Sequence, residues 1–327
     1  MSTAMPTPVT ALAARADKPP NVESDADLER RFGGLRRLYG DAGYARLRQA
    51  RVAVVGVGGV GSWAVEALAR CGVAALVLID LDHVSESNIN RQVQALSTTL
   101  GQAKTEALRE RIAHIHPACR VSTVEDFVEP DNWPAILPHA VDVLIDACDQ
   151  VRAKVALAAW SLASGVPMVS VGAAGGKRRA EQVQVADLAE VTHDPLLASL
   201  RQRLRKQLTL EMSPTAAVPG LPPQRRSTGA AVALPVRCVF SREPVVEPVS
   251  EPVSESVSGP SNEPVNEPVQ AATAAASAIH GSRVAARDRS LNCHGYGSSV
   301  TVTATFGMVA AGEAIQLLLA PSTGRAR

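Results

Sequence analysis

Four glycines and a handful of charged residues carry the chemistry that can be read from this chain. Gly56, Gly58 and Gly61 form G-x-G-x-x-G, with Gly59 as an extra glycine, in "VAVVGVGGVGSWAVEALARCGVAALVLIDLD" (residues 52–82). A loop of this kind between an apolar run and a helix suits phosphate. Gly56 permits the tight turn, Gly58 lets the backbone approach an anion, and Gly61 lets the helix pack on the strand. The first helical turn then offers unpaired N–H groups to anionic oxygens. Asp80 lies about 20 residues on, where an acid holds ribose hydroxyls. The plainer reading of Asp80 is a residue that shapes the turn at a strand end.

These features alone suit a nicotinamide dinucleotide as well as ATP. The residues that follow favour a triphosphate. "DLDHVSESNINRQ" gathers Asp80, Asp82, Asn88 and Arg91 in one connection, and Lys104 follows in "LGQAKTEAL". A triphosphate concentrates charge at one end, where Arg grips two oxygens at once and Lys supplies a compact positive charge. "VLIDACDQV" ends an apolar run with Asp146 and Asp149. A carboxylate at the carboxyl edge of a sheet, near phosphates, is what holding Mg²⁺ requires. The pattern G-x-x-x-x-G-K-[ST] is absent, which excludes an ordinary P-loop ATPase. A nicotinamide-dependent oxidoreductase is the alternative that Arg91, Lys104 and Asp149 disfavour.

Elements must hold those residues in place. Aromatics make up 3% of the 327 residues and apolar residues 46%, so the core is built from Ala, Val, Leu and Ile. A net charge of +1 confines any nucleic-acid contact to local patches. The five cysteines form no C-x-x-C, which argues against a disulfide framework or a zinc knuckle and fits a reducing cytosol. A charged helical stretch, 29–49, breaks near Gly33-Gly34. Strands are expected at 52–56, 75–80, 121–124, 141–145 and 167–171. Helices are expected at 62–71, 104–115 and 154–164, the first stopped by Gly72 and the last by Gly165. This alternation means an α/β domain with a doubly wound, mostly parallel sheet and helices on both faces.

Outside that core the chain reads differently. Residues 1–27 have no apolar h-region and read as a disordered leader rather than a signal peptide. The nucleotide-binding domain would run over 28–242. "EPVVEPVSEPVSESVSGPSNEPVNEPVQ" (243–270) repeats Glu-Pro-Val, so 243–285 reads as a disordered acidic insertion. Residues 286–320 would complete the domain, leaving 321–327 as a tail. "SSVTVTATFGMVAAGEAIQLLLA" (298–320) carries Glu313 and Gln316 with a glycine at its centre. It reads as a buried strand followed by a helix, not as a membrane span.

"GVGGVGSWAVEALARCG", "DLDHVSESNINRQ", "GQAKTEAL" and "DACDQ" together resemble the ubiquitin-activating-enzyme-like superfamily of ThiF, MoeB and HesA relatives. The resemblance covers roughly 29–208 and the last segment, and implies a Rossmann-like adenylation fold. Such proteins adenylate a carboxylate with ATP. The resemblance implies that Asp80 binds ribose, that Asn88, Arg91 and Lys104 hold the phosphates, and that Asp149 holds magnesium. "RFGGLRRLYG", "NINRQVQAL", "DQVRAK", "GAAGGKR", "DPLLASLRQRLRK", "CVFSRE" and "VTATFGMVAAGEAI" are most similar to the branch that dehydrates threonylcarbamoyladenosine on tRNA. The sulfur-carrier activators of the superfamily have paired C-x-x-C zinc ligands, and none exist here. Activation of a ubiquitin-like or sulfur-carrier protein is therefore the alternative.

The implied reaction activates a threonyl carboxylate with ATP and closes a ring with the substrate's own carbamoyl group. Proximity supplies much of the rate, and no enzyme nucleophile is required. Cys238 and Cys293 sit where the branch has cysteines. Each could be a nucleophile or a sulfur acceptor for a cysteine desulfurase, or a small buried apolar residue. Cys71 and Cys148 read as core. Lys177, Arg178 and Arg179 in "GGKRR", and Arg201 and Arg205 in "SLRQRLRKQL", are candidate contacts for tRNA phosphates. A homodimer is implied, with Arg36 or Arg37 reaching the partner's ATP.

Overall fold

The computed structural model describes residues 27–211, 234–246 and 296–320. The leader up to residue 26, residues 247–295 (most of the expected insertion, and Cys293) and the tail lie outside the described residues. Helices α1 (Leu28–Phe32) and α2 (Gly34–Leu47) precede β1 (Arg51–Val55), α3 (Gly61–Arg70) and β2 (Ala75–Ile79). Next come α4 (Lys104–Ile115), β3 (Arg120–Val124), β4 (Val143–Asp146), α5 (Val151–Ser164) and β5 (Met168–Val171). The chain continues with β6 (Val183–Asp187), α6 (Pro195–Glu211), β7 (Arg237–Ser241) and α7 (Val300–Leu319).

The strands form one sheet in the order β3-β2-β1-β4-β5-β7-β6. All neighbours run parallel except β6 and β7. Short runs of Val, Leu and Ile form these strands because both faces are covered. Alternate residues serve opposite cores: Val52, Val54, Leu76 and Leu78 lie on the side of α3, α4 and α7. Ala53, Val55, Val77 and Ile79 lie on the side of α5 and α6. The sheet is larger than the sequence pattern shows, since β6 and β7 fall beyond the strands expected from it.

Three expectations need correction. First, 298–320 is not strand then helix. Val300–Leu319 is a single helix capped by Ser299, whose side chain accepts from Thr301 N. Its β-branched start is overridden by packing on α3. A Cβ at Gly307 would lie 2.4 Å from the Val60 carbonyl oxygen and 2.7 Å from Trp63 Cβ. Glu313 is paired with Arg237 of β7 at 3.1 Å, so this long apolar helix belongs to the domain's core. Second, Asp27, expected as leader, is the N-cap of α1 and accepts from Arg30 N at 3.0 Å. Third, Glu243 does not belong to a disordered insertion. It is buried, and its carboxylate accepts from Arg178 N and Arg179 N at 2.9–3.0 Å. Val246 N donates to Gly176 O and Gly176 N donates to Gly297 O, so the chain leaves and returns at one point on the fold.

Candidate functional site

β1 lies between β2 and β4, so the chain winds away from it in both directions. A crevice opens at such a switch point, outside the carboxyl ends of the strands. The cleft there is lined by Gly56, Gly58 and Gly59, by Asp80, Asp82, Arg91 and Lys104, and by Asp149.

The glycines divide the work. Gly56 has φ +81°, and a Cβ on it would sit 2.9 Å from the Ala147 carbonyl oxygen. A Cβ on Gly61 would fall 1.8 Å from the Gly56 carbonyl oxygen, so only glycine lets α3 start there. Gly61 therefore shapes the turn without lining the cleft. A Cβ on Gly58 would meet only Gln92 Nε2, at 3.8 Å, so this position leaves open space in the cleft wall.

Asp80 is both a turn residue and a cleft residue. Its Oδ2 accepts from Val57 N at 2.8 Å and its Oδ1 from Asp82 N at 2.9 Å. Burial pushes its carboxyl above the ordinary range, and the nearby Lys104 charge offsets part of this. Lys104 is the first residue of α4 and is buried. Its Nζ donates to Asp82 at 2.7 Å, and Asp82 itself is exposed. Arg91 is also buried: Nη1 donates to Ser87 O at 2.6 Å and to Asn90 Oδ1 at 2.9 Å, and its stem runs beside Gly59. Trp63 fixes the Arg91 backbone by donating to its carbonyl at 2.9 Å. Two buried cations thus converge on a glycine-rich turn.

Asn88 is placed elsewhere. Its Oδ1 accepts from Ser85 N at 3.1 Å, closing the turn that leads to Arg91, and it does not line the cleft. The two acids of "DACDQ" separate as well. Asp146 is fully buried beneath the cleft, bound to Lys154 at 3.0 Å and Ser170 at 2.6 Å. Asp149 stands exposed on the cleft rim. No group of three His, Cys, Asp or Glu among the described residues is arranged to hold a metal. A single carboxylate completed by substrate phosphates is, however, the donor set Mg²⁺ accepts.

Cys238 lies within β7, wholly buried, with Sγ donating to Val236 O at 3.5 Å. Burial pushes its thiol far above the ordinary range. It does not line the cleft, so a nucleophilic Cys238 is corrected to a core residue. Cys148, expected as core, does line the cleft, and its Sγ donates to Asp146 Oδ1 at 2.9 Å.

The basic candidates split too. Lys177 is buried, with Nζ donating to the carbonyls of Ser241 and Glu243. Arg201 Nη1 donates to Leu188 O at 3.1 Å and Val191 O at 2.7 Å. Both hold loops instead of facing solvent. Arg178, Arg179 and Arg205 are exposed, as are Arg203 and Lys206. Arg36 is tied to Glu29 at 2.9 Å and Asp41 at 2.7 Å, while Arg37 is exposed.

Sequence reasoning missed three parts of the wall. Asp126, Phe127 and Val128 follow β3 in an irregular segment that carries no motif. Residues 172–175 line the cleft, though "GAAGGKR" signalled only resemblance. Leu196 arrives from the start of α6.

A doubly wound sheet with a glycine turn at its switch point, and with Arg91 and Lys104 in place of a P-loop lysine, defines a ThiF-type nucleotide-binding protein. The family model described as the ThiF family matches residues 33–326, and the chain belongs to that family. It is 39% identical over 300 residues to the tRNA threonylcarbamoyladenosine dehydratase of Escherichia coli, covering 91% of this chain and 97% of that one. It is 36% identical over 294 residues to the Haemophilus influenzae protein of the same name, covering 90% and 95%. The crystal structure of the E. coli dehydratase in complex with ATP matches with a TM-score of 0.65 at 37% identity, over 90% of this chain and 96% of that one. Similarity to the E. coli molybdopterin-synthase adenylyltransferase is 36% over 128 residues, 39% of this chain and 51% of that one.

Proposed function

We propose that this chain catalyses the ATP-dependent dehydration of threonylcarbamoyladenosine in tRNA. The observation that carries the reading is a cleft built from a glycine turn, Arg91 and Lys104, in a chain similar over nine-tenths of its length to the E. coli dehydratase solved in complex with ATP. The threonyl carboxylate attacks the α-phosphorus of ATP and the bond to pyrophosphate breaks. The substrate's carbamoyl group then attacks the activated acyl carbon and AMP leaves, so the ring closes with net loss of water.

The cleft suits that nucleotide. The open position at Gly58 admits phosphate against the backbone, and Asp80 lies where a ribose would be held. Phe127 and Val128 offer an apolar surface for the base, close to Asp80, whose N donates to Val124 O. Arg91 and Lys104, both buried in the cleft wall, offset charge that grows on the departing pyrophosphate. Asp149, with phosphate oxygens, would hold Mg²⁺, which neutralises the phosphates when bound. Arg178 and Arg179 on one loop and Arg203, Arg205 and Lys206 on α6 would meet tRNA phosphates. The chain would act in the cytosol as a homodimer, with the exposed Arg37 reaching the partner's nucleotide. A cysteine desulfurase partner would find no accessible acceptor in Cys238.

Mass spectrometry of tRNA hydrolysates after incubation with ATP tests this. The modified nucleoside should lose the mass of one water as AMP accumulates. An unchanged nucleoside, with the enzyme shown to bind ATP, would refute the proposal. Formation of an adenylate on a sulfur-carrier protein would favour the alternative.

A further inference from the structure

Beneath the cleft lies a buried charge network for which the adenylation chemistry has no use. Lys154, near the start of α5, is 0% exposed, as is Asp146. The Lys154 ammonium donates to Asp146 Oδ2 at 3.0 Å and to the Val171 carbonyl at 2.7 Å, and reaches Ser170 Oγ at 3.5 Å. Ser170 Oγ donates to the same Asp146 oxygen at 2.6 Å. Cys148 Sγ donates to the other Asp146 oxygen at 2.9 Å. The ends of β4 and β5 and the start of α5 therefore meet at one ammonium.

The two turns that leave this junction are 147–150, after β4, and 172–175, after β5. Every residue of both lines the cleft. β4 and β5 are paired neighbours, so the turns stand side by side as one wall. Asp194 ties the second turn again: its Oδ2 accepts from Ala173 N and its Oδ1 from Leu197 N, each at 2.9 Å. A Cβ on Gly172 would lie 2.1 Å from Asp194 Oδ2, so only glycine lets the carboxylate sit this close to the turn.

Stability alone does not explain the network. A buried ion pair seldom outperforms apolar side chains of the same volume, and the buried neighbours of Lys154 on α5 are Ala153, Leu157 and Ala158. Burial is the largest single influence and opposes the charge on Lys154, but Asp146, Cys148 and Asp194 together outweigh it and the ammonium stays protonated. What the network supplies is fixed geometry, because each bond has a defined direction.

We propose that Lys154 is a positioning residue for nucleotide binding: it locks the ends of β4 and β5 so that the Asp149 turn and the 172–175 turn form one rigid wall of the cleft. This rests on reading the cleft as the ATP site, and the test separates the two ideas. Lys154→Met alone leaves the buried Asp146 without a counter-charge, and should lower stability. The double variant Lys154→Met/Asp146→Asn removes both charges with little change in size. Its apo form should melt cooperatively near the wild-type temperature. Its ATP affinity, measured by calorimetry, should fall at least about tenfold, and turnover by about 10²-fold, as expected for a misplaced binding wall. Affinity for tRNA without ATP should stay within about twofold, since no phosphate contact is removed. Ser170→Ala keeps the ion pair but deletes one link, and should lower ATP affinity by a smaller factor.

A folded double variant that binds ATP like the wild type overturns the role of Lys154. So does a parallel loss of ATP and tRNA affinity, which would mark general loosening. If the double variant does not fold, unchanged ATP affinity in Ser170→Ala overturns it equally. A wild-type protein that binds no ATP overturns the reading of the cleft itself.

Discussion

Replacing Cys238 decides between a covalent and an intramolecular route. The side chain is 0% exposed within β7, between Ser170 of β5 and Ala186 of β6. Cys238→Ala deletes one sulfur from a packed core. The lost transfer energy and the small cavity together cost about 1–2 kcal/mol. Cys238→Ser keeps a donor for the Val236 carbonyl, which Sγ meets at 3.5 Å, and costs about 1 kcal/mol for burying a hydroxyl. Neither change touches the cleft. A neutral thiol is also a poor nucleophile, and burial keeps this one neutral. Urea unfolding should show those losses, and the dehydration rate per folded molecule should stay within about twofold of the wild type, as expected if ring closure is intramolecular. A variant that is folded, binds ATP and yet forms no cyclic product would refute the core assignment and restore the covalent route.

Four further predictions follow from named contacts. Lys104→Ala breaks an ion pair whose partner Asp82 is half-exposed, so stability should change by only about 1 kcal/mol. Cyclisation should nevertheless fall about 10²–10³-fold in Lys104→Ala and in Asp149→Ala; near-wild-type turnover in either would remove that residue from the site. Gly307→Ala drives a methyl into the Val60 carbonyl and should destabilise by about 1–3 kcal/mol in thermal melts, whereas a neutral effect would contradict the close α3–α7 contact. Burial and the neighbouring Arg48 charge lower the His116 pKa from 6.5 to about 4. Its contribution to stability is thus complete above pH 6.5 and lost as the pH falls toward about 4; His116→Gln should flatten that limb of the pH–stability curve, and an unchanged limb would assign it to other groups. Deleting 247–270 while keeping Glu243 should leave melting and ATP affinity nearly unchanged, at about 0.6 kcal/mol per doubling of loop length; a variant that unfolds would show that this stretch is structural.

The parts of this protein legible in its sequence are those where local chemistry permits one solution. Gly56 and Gly61 are readable because any side chain there would strike the backbone of the turn itself. Arg91, Lys104 and Asp149 are readable as candidates because their charges follow a glycine-rich turn, and the fold brings all three to the cleft beside it. The rest was decided at long range. Val300–Leu319 reads as part strand because it is rich in Val and Thr, yet α3 and the sheet supply a groove into which only a helix with Gly307 on its inner face fits. Lys177 and Arg201 read as free charge, and what binds them are carbonyls 64 and 10 residues away in sequence or more. Glu243 is the sharpest case. By composition it is the first unit of a Glu-Pro-Val repeat, indistinguishable from the copies after it. It alone follows β7 directly, which places its carboxylate on the paired N–H groups of Arg178 and Arg179. The loop that offers those two arginines to solvent is therefore held by the first member of that repeat.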